Sequence, residues 1–348
     1  MDRVYLDHNA TTPLRVEARA AMIAAMDVVG NPSSVHAEGR AAKLLVERAR
    51  VEVADLVGCK PNQVIFTGSA TEAAALAAAQ ANQHGGGFSS AQTEHDCVLA
   101  WHDTDAGCLR AVSAANSETG VMQVDGCVVP SPDSYSVLCD ITQMAGKMPV
   151  QYRDHQTPSY MILSAHKIGG PKGVGALINF TSEDPVALLK GGGQEMGRRS
   201  GTENIVGIAG FGAAATAARR DVAHGRWERV AELRNILEKA LEAASKKTIF
   251  VGKAETRLPN TSCFITPGWK GETQVMQMDL SGFAISAGSA CSSGKVRASK
   301  VLLAMGYSEQ EAASAVRVSL GLDTSEDEIM RFADVWADKL TKHEARAA

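Results

Sequence analysis

A chain of 348 residues with 45% apolar composition holds enough hydrophobic material for one large core and a smaller one, which excludes a disordered or miniature scaffold. The net charge of −4 arises from interspersed signs with no basic stripe, so neither nucleic acid nor an anionic membrane is expected as a partner. Met1 to Leu14 is polar, which does not suit a signal peptide, and no apolar run approaches about 18 residues, so a cytoplasmic protein without a membrane span is expected. Seven scattered cysteines with no C-x-x-C pair indicate neither a disulfide framework nor a metal site.

Helical and apolar stretches alternate through the middle of the chain, the pattern of an α/β sheet. Residues 34–57 read as a helix with Leu45, Ala49, Val53 and Leu56 on one face. A strand at 63–66, a turn at 67–69 and an alanine-rich helix at 70–82 form a strand-turn-helix unit. Further strands are expected at 87–91, 109–114, 135–139, 160–164 and 174–180, giving a large domain over 15–250 with a mixed, mostly parallel sheet. Val230, Leu233, Leu237 and Leu241 mark an amphipathic helix leading into a smaller α+β domain. That domain, 251–348 together with 1–14, has strands expected at 262–266, 284–286 and 315–319. Its last helix opens with a Ser325-x-x-Glu328 capping box.

Several stretches carry chemistry. Lys167, in Ser164-Ala-His-Lys-Ile-Gly-Gly, sits after a strand in a glycine-rich turn, where an amine can form a Schiff base while Ser164 and His166 donate to a phosphate. Asp140 follows an apolar strand and suits a pyridinium nitrogen, with Gln143 able to reach a phenolic oxygen. Ser69 and Thr71 open a helix whose N–H groups favour an anion. His95 on a short loop can stack on a ring and move protons near neutral pH. Cys291 lies among small residues beside Lys295 and Arg297, a setting that favours a thiolate. Taken singly, each has an ordinary reading too: a surface lysine, a helix-capping aspartate, a polar loop histidine, an inert thiol.

Taken in order, these stretches resemble the cysteine desulfurases (the NifS/IscS family), a branch of the class V aminotransferase-like fold. The resemblance runs through Leu6-Asp-His-Asn-Ala-Thr-Thr-Pro, Ile65-Phe-Thr-Gly-Ser-Ala-Thr-Glu, Glu94-His, Asn116-Ser-Glu-Thr-Gly, Asp140 to Lys147, Ser164-Ala-His-Lys, Gly191-Gly-Gly-Gln-Glu-Met-Gly-Arg-Arg-Ser-Gly-Thr-Glu-Asn, Ser286-Ala-Gly-Ser-Ala-Cys and Val316-Arg-Val-Ser-Leu-Gly. It implies the fold type I of pyridoxal-phosphate-dependent transferases and pyridoxal 5'-phosphate as cofactor. Lys167 would then carry the cofactor, Asp140, Gln143 and His95 would hold its ring, and Thr71, Ser69, Ser164 and His166 its phosphate. Thr202 would reach the phosphate in the other subunit of a homodimer. Arg317 would bind the substrate carboxylate, with Asn116 a further contact to cofactor or substrate and Arg199 a further contact to substrate. Cys291 would take sulfur from L-cysteine as a persulfide, for delivery to an acceptor protein in iron–sulfur cluster assembly or other thiolation. A selenocysteine lyase or related transaminase that does not use Cys291, and an inactive partner-binding subunit, are the alternatives.

The sequence also departs from the family pattern. Gly68-Ser69 inverts the usual order, Asn116-Ser117 replaces a pair of asparagines, and the segment between Gly120 and Asp140 is short, with Pro130 and Pro132 where a helix normally runs. Val296, Arg297 and Ala298 make the stretch after Cys291 more basic than usual.

Overall fold

A computed structural model describes residues 3–123, 136–152, 157–288 and 298–347. In chain order the strands are β1 (Val4–Tyr5), β2 (Val64–Thr67), β3 (Phe88–Ser90), β4 (Leu109–Ser113), β5 (Ser136–Asp140), β6 (Tyr160–Ser164), β7 (Gly175–Asn179), β8 (Ile249–Phe250), β9 (Thr261–Ile265), β10 (Phe283–Ala284), β11 (Ser286–Ala287) and β12 (Ala315–Ser319). The helices are α1 (Val16–Met26), α2 (Ala37–Val57), α3 (Ala70–Ala78), α4 (Asp96–Leu99), α5 (Ile205–Ala223), α6 (Arg226–Ala244), α7 (Gly271–Leu280), α8 (Lys300–Ala304), α9 (Glu309–Ala313) and α10 (Glu326–Ala347).

The chain divides into two units. The larger spans 12–115 and 123–224, and the smaller 1–11, 116–122 and 225–348. This differs from the expected boundary at residue 250. The reason is α6, whose Val230, Leu233, Leu237 and Leu241 are buried in one cluster with Phe264, Val316, Phe332 and Trp336 of the smaller unit.

In the larger unit a six-stranded sheet runs β2-β7-β6-β5-β4-β3. Strands β3 to β6 are mutually parallel, and β7 is antiparallel to both β6 and β2. Strands β6 and β7 are buried at every position, so both faces of the sheet are covered there and their sequences read as continuous apolar runs. The alanines of α3 let that helix lie close, with Ala73, Ala74 and Ala77 fully buried against Ile65, Leu138, Ile162 and Leu177. Helix α5 is almost as tightly held: a Cβ at Gly212 would stand 2.7 Å from Ala49 Cα of α2. In this unit helix and sheet also come close at Gly175. A Cβ there would come within 2.5 Å of the Ser69 carbonyl carbon and 2.8 Å of Ala70 N, so only glycine lets the start of α3 settle onto β7.

The smaller unit has a four-stranded antiparallel sheet, β11-β12-β9-β8, and a separate parallel pair, β1-β10. The expected strand at 284–286 is thus two short strands interrupted at Ile285. Ile329, Phe332, Trp336 and Leu340 place the apolar stripe of α10 in the core. The expected capping box is present: Ser325 N donates to Glu328 Oε2 at 2.8 Å and Glu328 N to Ser325 Oγ at 3.2 Å. Among the described residues no helix is long and apolar enough to cross a membrane.

Substituting Gly175→Ala is expected to lower stability by about 2 kcal/mol, since backbone rather than a flexible side chain must move. Urea denaturation followed by circular dichroism measures it, and an unshifted midpoint would show that α3 is free to retreat.

Candidate active site

Parallel strands β4, β5 and β6 end on one edge of the large sheet, and β2, which runs the same way, ends beside them across β7. The register aligns Ser113 with Asp140, Ser164 with Gly175, and Thr67 with Gly175. Strand ends of this kind, with a helix N-terminus next to them, are where α/β proteins collect polar groups.

Lys167 ends a one-turn 3₁₀ helix, Ala165–Lys167, directly after β6. Its backbone is pinned: Thr12 Oγ1 donates to Lys167 O at 3.0 Å and Thr12 N to His166 O at 3.0 Å. The amine is therefore carried on a fixed turn. His166 beside it is half-buried, and burial, reinforced by Lys167 and Lys172, pulls its imidazole down to about 4, so the ring is neutral near pH 7.

Asp140 closes β5 and is 9% exposed, with Oδ1 accepting from Thr142 N at 2.8 Å. Gln143 is buried one turn on, and its Oε1 and backbone carbonyl both accept from Lys147 Nζ, at 3.3 and 2.8 Å. Lys147 was not anticipated from the sequence; it holds Gln143 in place. Ser69 is the N-cap of α3, accepting from Glu72 N at 3.3 Å, which uses a hydroxyl lone pair and leaves its proton to donate. Thr71 lies on the exposed first turn of that helix. Ser164 is buried at the end of β6.

His95 caps the short helix α4. Its Nδ1 accepts from Cys97 N at 3.2 Å, and because a backbone N–H can only donate, the neutral ring carries its proton on Nε2. Cys97 Sγ lies 3.0 Å from the same nitrogen. Glu94 behind it is a buried carboxyl missed by sequence reasoning, although Glu94-His95 was visible as a pair. It is bonded to the Ser113 hydroxyl, and with the Gln123 amide correctly oriented its Oε1 accepts from that side chain at 2.9 Å. Burial pushes Glu94 up to about 7; Asp140 adds to the rise, while Ser113 and His95 oppose it.

Thr202 and Arg199 lie on the segment 191–204. Glu195 and Met196 in it adopt left-handed backbone angles, φ 50° and 59°. Glu195 is held there by a buried fork to Arg50, 2.7 and 2.8 Å, and by Phe66 N at 2.9 Å, enough to over-determine a strained turn. Arg199 pairs with Glu72 at 2.8 Å, and Thr202 is exposed on the rim of a cavity of about 130 Å³ that also touches Thr67, Gly68, Gly173 and Asn204.

Asn116 and Arg317 belong to the smaller unit and are linked there through Ser117. Asn116 Oδ1 is turned onto its own chain, accepting from Glu118 N and Thr119 N at 2.9 Å each, an Asx-type turn that takes up the oxygen expected to face a ligand. Arg317 is 7% exposed on β12. Cys291, with Lys295 and Arg297, lies outside the described residues, as do Pro130, Pro132 and Val296.

The donor set on the large sheet fits pyridoxal phosphate: an amine for the aldehyde, a carboxylate at a strand end for the ring nitrogen, and hydroxyls with a helix N-terminus for the phosphate. Among the described residues Thr142 Oγ1, buried two residues past Asp140, has no hydrogen-bond partner, as expected where another molecule completes the site.

Glu94 has a consequence for stability. Its folded pKa is raised, so the unfolded chain loses this proton near pH 4.5 while the folded chain keeps it until about 7; stability therefore falls as pH rises through that interval. Glu94→Gln is expected to remove this loss and gain on the native protein steadily between pH 5 and 8 in urea denaturation. A pH-independent difference between the two would mean the carboxyl is not perturbed.

The class-V aminotransferase profile matches residues 4–127 and 104–332. A cysteine desulfurase of Frankia sp. (strain EuIK1) is 38% identical, over 96% of this chain and 90% of its own length. The cysteine desulfurase IscS of Anaeromyxobacter sp. (strain Fw109-5) is 36% identical, over 97% and 93%. Among solved structures, a NifS-like protein from Rickettsia africae ESF-5 superposes with a TM-score of 0.85 at 28% identity, covering 97% of this chain and 99% of that one. With these matches over nearly its whole length, this chain belongs to the cysteine desulfurases of the class-V aminotransferase family.

Proposed function

We propose that the chain converts L-cysteine to L-alanine and keeps the sulfur on Cys291 as a persulfide for an acceptor protein. The observation that supports this reading is the pair of Lys167 and Asp140 at the ends of β6 and β5, with His95 at the cap of α4, in a chain of this family. Pyridoxal phosphate, when bound, supplies an electron sink for the substrate's α-carbon. Lys167 would hold its aldehyde, Asp140 its ring nitrogen and Gln143 its phenolic oxygen, with His95 against the ring. Ser69, Thr71, Ser164 and His166 would hold its phosphate.

The chain's own groups then have distinct tasks. Lys167 Nζ, displaced by the substrate's amine, takes the α-proton and can return it. His95, with its proton on Nε2, donates from that atom. Arg317 binds the substrate carboxylate; Asn116 is a further contact to cofactor or substrate, and Arg199 a further contact to substrate. The Cys291 thiolate attacks the substrate sulfur; an S–S bond forms as the C–S bond breaks, and the carbon skeleton takes a proton to leave as alanine. A reactive free thiol persists in a reducing compartment, in keeping with the cytoplasmic setting of this reading.

A homodimer, with Thr202 reaching the phosphate of the partner's site, belongs to the same reading. It is supported by the rigid mounting of the 191–204 segment and by exposed apolar side chains in one stretch of the chain. These are Val16, Ile23 and Met26 of α1, followed by Val29, Val35 and Leu44.

Lys167→Ala is expected to abolish the bound cofactor's visible absorbance band and to cut alanine release at least about 100-fold. Cys291→Ala should keep that band yet lose both alanine release and the gain of one sulfur in intact mass. Undiminished alanine release from Cys291→Ala would sink the persulfide route. For the dimer, Ile23→Asp should shift the mass measured by light scattering toward a monomer.

A further inference from the structure

Arg317 is not an isolated cation awaiting an anion. Within the smaller unit its Nη2 donates to Asp7 Oδ1 at 2.7 Å and its Nη1 to Ser117 O at 3.0 Å. The other oxygen of Asp7 accepts from Ser286 Oγ at 2.8 Å, and Ser286 is the register partner of Arg317 across β11 and β12. Asp7 is fixed in turn by its backbone, since it forms a bridge with Ser319 and His8 N donates to Ser319 O. Tyr5 Oη donates to Asp7 O at 3.1 Å. Against this full set of ties, Arg317 Nε is buried with no hydrogen-bond partner among the described residues.

A buried N–H without an acceptor costs roughly 1–3 kcal/mol, so one left open beside two well-made bonds points to a guest. A guanidinium presents its donors in one plane, so clamping Nη1 and Nη2 from one side fixes the direction in which Nε faces. We propose that Asp7 is the positioning residue for substrate recognition: with Ser117 O it holds the plane of Arg317 so that the open Nε meets the carboxylate of L-cysteine. Asp7 also offsets the charge of a guanidinium that would otherwise be buried alone before substrate arrives. This rests on the reading of Arg317 as the carboxylate-binding residue.

The test compares two ligands of the holoenzyme by titrating the cofactor's absorbance. L-cysteine has the amine, thiol and carboxylate; cysteamine has the first two only. Asp7→Ala is expected to weaken L-cysteine binding about tenfold or more and to leave cysteamine unchanged. Asp7→Asn, which keeps an acceptor oxygen in place, should restore most of the loss. Equal weakening of both ligands would reduce Asp7 to a structural role, and no change for either would overturn the proposal. If Asp7→Ala does not fold, Asp7→Glu, which displaces the carboxylate by one methylene, is expected to give the same selective loss. Arg317→Lys separates the two levels. If it leaves L-cysteine binding intact, Arg317 does not bind the carboxylate and both readings fall; if it weakens L-cysteine alone while Asp7→Ala does not, only the role of Asp7 falls.

Discussion

The large unit depends on one close approach, that of the α3 N-terminus to β7 at Gly175. Strand β7 is the antiparallel element between β2 and β6, and its first residue is opposite both Thr67 and Ser164. Because no Cβ intervenes, the capped end of α3 lies against the same edge where β6 hands over to the Lys167 turn. A phosphate-favouring helix end and an amine on a rigid turn are thereby brought to one side of the sheet by strand register alone, with no loop required to close. The inverted Gly68-Ser69 order is compatible with this. Ser69 makes the cap, and Glu72 Oε2 accepts from Gly68 N at 2.7 Å, so the turn is held from both sides.

The second constraint is electrostatic. The edge carries two buried carboxyls, Glu94 and Asp140, together with a neutral imidazole at His166 and the Lys167 amine. Burial, with Asp140 nearby, raises Glu94 to about 7 although it is bonded to the Ser113 hydroxyl. The depressed His166 acts in the same direction, since a neutral ring beside Lys167 avoids a pair of adjacent cations.

Much of this was legible in the sequence because the period and the punctuation agreed. Strands β2 to β7 fall within a residue or two of their expected spans, since each is a short apolar run bounded by glycine or polar turns. What escaped had a physical reason in each case. Helix α5 gave no pattern because eleven of its residues, including Gly207, Gly210 and Gly212, are buried, so no polar face marks its period. Helix α6 was recognised as amphipathic, but its stripe does not reveal which core it covers, and that placed the domain boundary too late. Of the site residues, those carried on strand ends were visible, while Glu94, Lys147 and Asp7 were not singled out. Their importance comes from partners distant in sequence, such as Glu94 with Ser113 and Asp7 with Arg317, and no local spacing encodes such pairs.

The two units divide the chemistry in a way that local structure already explains. On the proposed reading, groups that act on the cofactor are mounted on the largely buried strands β5 and β6 and on the start of α3. The group proposed to recognise the amino acid, Arg317 on β12, is where Ser286 of β11 and Asp7 of the N-terminal segment converge. Cys291 follows Ser286 in the chain by only a short run of small residues. On the proposed reading, the strand residue that bonds Asp7 also stands, in the sequence, shortly before the thiol that would accept sulfur.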